Sequence, residues 1–149
     1  MKYDVKPYEN DGISGFYEWN KPTFLVEEND ERYESIAAEK QEIGMTRDET
    51  WDLKTNIAIF MTPRLKLFKS YVCGHPSNLK NQQEWYDILD KIIFAFESSL
   101  KDEDDILQKY LDKYDKTDSE RESKAFNDWQ NDISDGLKLF AEYFNALWW

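Results

Sequence analysis

One cysteine, one histidine, five glycines and four prolines in 149 residues remove several kinds of protein at the outset. With Cys73 alone, no internal disulfide can form, which suits a reducing compartment. Zinc sites draw on Cys and His in sets of three or four, and Cys73 and His75 are the only two such residues. Both fall in a Cys-Gly-His-Pro turn. A thiol nucleophile needs its base within hydrogen-bond reach, and a Ser–His triad would also have to use His75, without a nucleophile elbow. These two residues therefore read as turn residues. A carboxylate di-iron bundle is excluded as well, because Val72 stands where Glu-x-x-His would need its Glu. Asp112, Asp115 and Asp118 recur every third position, but they lack the glycine and bidentate Glu of a calcium loop. No cofactor is expected.

Long apolar runs are missing too. Nothing approaches the roughly 18 residues of a membrane span. Met1 to Asn10 is polar and mixed in charge, unlike a signal peptide. The expectation is a cytoplasmic protein with no membrane contact. Basic charge is scarce: 19 Lys and Arg face 31 Asp and Glu, a net charge of −12. Such a chain repels DNA and anionic membranes. Direct DNA binding is not expected, and basic protein partners or imitation of a nucleic-acid backbone are.

Aromatic residues, by contrast, are plentiful, with 6 Trp, 9 Tyr and 9 Phe. Each buried ring removes roughly 150–250 Å² from water, enough to build a core in one domain of this length. The charge is unevenly spread. Residues 27–49 hold 9 acids and 3 bases, and residues 101–135 hold 12 acids and 6 bases. Between them, residues 50–80 hold one acid, Asp52, against Lys54, Arg64, Lys66, Lys69 and Lys80.

The spacing predicts a single mainly α domain over 1–149: a helical body over 30–149 and an aromatic N-terminal arm or small β-hairpin over 1–29. In that arm Tyr3, Val5 and Tyr8 alternate with polar residues, and Pro7, Gly12, Gly15 and Pro22 bar a helix. Its aromatics are expected to pin it to the helical body. A polar helix is predicted over 30–43 and ends at Gly44.

Three main helices follow, near 51–72, 81–99 and 120–148, forming a small bundle with a shorter helix at Ile106–Tyr114. The first carries Leu53, Ile57, Phe60, Leu67 and Phe68 at helical spacing, and Pro63 either kinks it or restarts it. The second carries Trp85, Ile88, Leu89, Ile92, Ile93 and Phe96. The third carries Phe126, Trp129, Ile133, Leu137, Phe140 and Phe144 in a coiled-coil-like seam, interrupted by Gly136. Apart from Phe126, these residues are the expected core.

Two constellations could carry chemistry. Glu31-x-x-Glu34 with Glu49-x-x-Asp52 has the form used by all-α nucleotide pyrophosphatases, where carboxylates on two helices hold Mg²⁺ against a triphosphate. Among 31 acids such spacings also arise by chance, as at Glu84-x-x-Asp87, and carboxylates at a helix start are simply good caps. The second constellation is Arg64, Lys66 and Lys69, near Trp51. It could form an anion or partner site with Arg64 as a planar fork, or could pair with the acidic segments.

Three blocks carry a resemblance. They are Glu49-Thr50-Trp51-Asp52-Leu53 leading to Pro63-Arg64-Leu65-Lys66; Trp85 through Ile88-Leu89-Asp90-Lys91 to Ala95-Phe96-Glu97; and Gly136-Leu137 through Phe140-Ala141 to Leu147-Trp148. Together they resemble a group of small tailed-bacteriophage proteins of unknown function. That resemblance implies expression in an infected bacterium and brings no catalytic residues with it. The resulting expectation is a non-catalytic protein that binds a host or phage protein, most simply a host or defence protein, as inhibitor or adaptor. DNA mimicry by the acidic segments is one route. A Mg²⁺-dependent pyrophosphatase and a minor structural component of the phage are the alternatives, and self-association is compatible with all three.

Overall fold

The computed structural model of the chain describes Thr23 and residues 26–148. The arm or hairpin expected over 1–29 falls almost wholly outside the described residues. The described residues form six α-helices and a closing 3₁₀ turn, with no strand among them, so the fold is the mainly α bundle that the spacing predicts.

The first helix, α1, runs Tyr33–Ile43 and stops at Gly44, whose φ of 81° takes the left-handed conformation that a side chain disfavours. A short α2, Asp48–Trp51, precedes α3, Leu53–Tyr71. The single helix expected from 51 is thus divided at Asp52. Its side chain accepts from the Thr55 amide at 3.2 Å and caps α3, and this local bond takes the place of helix continuation. Pro63 neither breaks nor restarts α3, which runs through it.

Helix α4 spans Gln82–Glu97 and is capped by Asn81, which accepts from the Glu84 amide at 2.9 Å. Helix α5 spans Glu103–Leu111 behind an Asp102 cap. Helix α6 spans Arg121–Glu142, and the chain then tightens into the 3₁₀ turn Phe144–Ala146. Tyr143, at that junction, is buried with its ring 5.4 Å from Trp85.

Helix α4 is the centre. It packs against α3 on one side and α6 on the other, and α5 packs on α6. Two apolar clusters result. The larger joins Ala58, Ile59 and Leu65 of α3 to Trp85, Leu89, Ile92 and Phe96 of α4. The smaller joins Ile106 and Tyr110 of α5 to Ala125 and Trp129 of α6. Gly136 is buried where α6 crosses α4, against Lys91 and Ala95.

Helix α3 does not bury the expected face. Leu53, Ile57 and Phe60 are exposed, and Thr55, Ala58, Ile59, Thr62 and Leu65 are buried instead. Apolar residues occupy both sides of this helix, and the side with small Ala58 and Thr62 lets the backbones of α3 and α4 come closer. Leu137 and Phe144 are likewise exposed rather than core. The expected α4 residues Trp85, Leu89, Ile92, Ile93 and Phe96 are buried, as is Trp129.

Candidate functional site

The basic segment is dispersed by the way α3 turns. Lys66 faces α4 and pairs with Glu97, whose other oxygen lies 3.2 Å from Lys101. Burial alone would raise the Glu97 carboxyl. The hydrogen bond and charge of Lys66, then of Lys101, outweigh it and hold the group below its ordinary value. Lys69 pairs with Asp90 at 2.5 Å, two turns earlier on α4. Arg64 points outward, with its guanidinium carbon 3.6 Å from the Phe60 ring centroid and Nη1 donating to the Phe60 carbonyl at 2.9 Å. Trp51 closes α2 at 90% exposure. The cations thus occupy separate places, two of them answered by carboxylates of α4.

Of the four carboxylates of the Mg²⁺ constellation, Glu49 and Asp52 are held by local hydrogen bonds. Glu31 lies just before α1 and Glu34 in its first turn. Glu49 accepts from the Thr23 hydroxyl at 3.0 Å. That hydroxyl lies 2.7 Å from the Thr46 hydroxyl, which must then be the donor between the two, since Thr23 has one proton to give. Asp52 is the α3 cap, and the Thr55 hydrogen bonds hold its carboxyl below the ordinary range. Among the described residues, no three His, Cys, Asp or Glu side chains converge as a metal would require. Cys73 is exposed, and His75 Nδ1 lies 3.0 Å from the Pro76 carbonyl oxygen.

Two features escaped the sequence. The first is an apolar surface at the α2–α3 corner. Leu53 and Ile57, one turn apart and so on one face of α3, are 54% and 43% exposed, beside Trp51. Met45, in the preceding loop, is exposed too. Five apolar residues in succession, Ile57 to Met61, conceal which of them meet water.

The second feature is an open cleft of about 630 Å³ between α4, α5 and α6. Phe94, Leu139 and the buried Tyr110 form its floor, and Asp90, Asp132 and Asp135 stand exposed on its rim with Lys91 and Lys138. Tyr110 donates to Asp132 Oδ2 at 2.5 Å. Just past the end of α5, Tyr114 donates to Asp128 at the same distance. Burial, then the Asp132 hydrogen bond and charge, push the Tyr110 phenol well above its ordinary value, so it stays a donor at any ordinary pH. The lining comes from positions 90 to 139, which no short motif spans.

The smaller pocket beside Trp85 and Trp148 contains Cys73 and His75 and is too small for much more than a side chain, at about 240 Å³. No protein-family model, no curated protein and no solved structure matches this chain.

Proposed function

We propose that this is a non-catalytic binding protein, which engages a host or defence protein in the cytoplasm of a phage-infected bacterium as an inhibitor or adaptor. The observation that carries the reading is the exposed apolar corner at Trp51, Leu53 and Ile57. An indole at 90% exposure is costly to leave in water and is the side chain that most often anchors a protein interface. Nearby Arg64, laid over Phe60, supplies a planar cation at the edge of the same helix.

The infected-cell setting comes from the resemblance of the three sequence blocks, and the choice of a protein rather than a nucleic-acid partner comes from the net charge of −12. The Mg²⁺-dependent alternative would need converging carboxylates, and the described residues hold none.

The test is a comparative pull-down from infected cells with the parent protein and the Trp51→Asp/Ile57→Asp variant. A host protein recovered in stoichiometric amount by the parent and lost by the variant is the expected result. Recovery of capsid or tail proteins would make the chain a structural component instead. Equal recovery by both proteins would remove the α2–α3 corner from the account. Recovery that collapses at high salt while surviving the double substitution would favour DNA mimicry by the acidic α5–α6 surface.

A further inference from the structure

We propose that the cleft between α4, α5 and α6 binds a small organic cation, an apolar body bearing one ammonium or guanidinium group. This site is separate from the α2–α3 corner and does not depend on the partner reading. Its volume of about 630 Å³ lies in the range of small-molecule sites. Its floor is apolar and drawn from three helices, through Phe94, Leu139 and Tyr110. That floor would take the body of the ligand.

The sign of the charge follows from how the rim groups are held. Asp90 is answered by Lys69 and Asp135 by Lys138 on its own helix. Asp132 is different. Its partner is the neutral phenol of Tyr110, so its charge is oriented at the cleft without being cancelled. Asp128, one turn away on α6, is held the same way by Tyr114 and adds to the negative potential there. The opposing groups are Lys91 and Lys138. Both residues are exposed, and Lys138 is already engaged with Asp135, which leaves Lys91 as the cation opposite Asp132. A cation on an apolar stem therefore gains both the floor and Asp132. An anion gains only Lys91 and a lysine already paired with Asp135, and meets the field of a chain with net charge −12.

The experiment uses three probes of one shape on the full chain: 3-phenylpropylamine, 3-phenylpropanol and 3-phenylpropionate. Binding is followed by amide chemical shifts. The amine should bind at least about tenfold tighter than the propionate, with the alcohol between them. Shifts should centre on Phe94, Tyr110 and Leu139. Asp132→Asn keeps an oxygen to accept from Tyr110 and so keeps the fold. It should weaken the amine about tenfold and leave the alcohol unchanged. Lys138→Glu, at an exposed position, should tighten the amine.

Equal binding of all three probes, or tighter binding of the propionate, overturns the proposal. So does saturable binding whose shifts centre on Trp51 and Ile57. The absence of saturable amine binding below about 10 mM overturns it too.

Discussion

A methyl group on Gly136 would stand 2.3 Å from the carbonyl oxygen of Lys91. It would also lie 2.6 Å from the Ala95 Cβ, and backbone oxygen cannot step aside as a side chain can. Helix propensity alone says that Gly136→Ala should stabilise α6 by up to about 1 kcal/mol. The contact decides otherwise. Gly136→Ala should destabilise the protein by roughly 1–3 kcal/mol, because α4 and α6 must separate. Thermal melts of parent and variant measure it, and a raised melting temperature would mean that the helices do not meet there.

The orientation of α3 gives opposite outcomes for neighbouring positions. Ile59→Ala should cost about 2–5 kcal/mol, since Ile59 is buried against α4. Ile57→Ala should fall within about 0.5 kcal/mol of the parent. Denaturant midpoints of the two variants separate the faces. Equal losses would show that both sides of α3 are covered.

Acid should act through Glu97. Its folded carboxyl sits below the ordinary value, so its contribution is present above the unfolded value of about 4.3 and disappears as pH falls through the folded one. Glu97→Gln should therefore be less stable than the parent at neutral pH. It should also show a shallower decline of stability with acid. Identical pH profiles would mean that the Lys66 and Lys101 contacts contribute nothing.

Alkali should act through Tyr110. Its phenol is raised by burial and by Asp132, so the protonated form is favoured in the fold. That contribution is full below the unfolded value of about 10 and is lost as pH climbs from there towards the folded value. In an absorbance titration of the nine tyrosines, Tyr110 should ionise only as the protein unfolds, later than Tyr114, which Asp128 also raises but which is less buried. Tyr110→Phe should remove that late ioniser. If it ionises with the others in folded protein, the Asp132 bond is not maintained in solution.

Helix α4 was legible because its apolar residues form one stripe. Trp85, Leu89, Ile92, Ile93 and Phe96 are buried together, and the charged residues Asp87, Asp90 and Lys91 fall on the opposite, exposed side. Helix α3 was legible as a helix and not as a face. Ile57, Ala58, Ile59, Phe60 and Met61 follow one another, so periodicity favours no side, and the series Leu53, Ile57, Phe60 fits helical spacing as well as the buried series Thr55, Ile59, Thr62 does. Gly136 reads as a flaw in the sequence, because the carbonyl it makes room for lies on another helix. The sequence places Trp51 beside the basic segment but does not show the break at Asp52, which sets Trp51 at the end of its own short helix. The cleft depends on α4, α5 and α6 meeting, which nothing local encodes.

Helix α6 belongs to both apolar clusters. Ala125 and Trp129 near its start close the smaller one, and Leu139 and Phe140 near its end pack on the larger. At 1.5 Å per residue its 22 residues make a strut about 33 Å long. Neither cluster can open without withdrawing support from the other, so α5, although short and distant from α3, does not melt as a separate part. The slowest amide protons of α5 and α4 should then exchange with deuterium at one common free energy, and the bundle should give way in a single step.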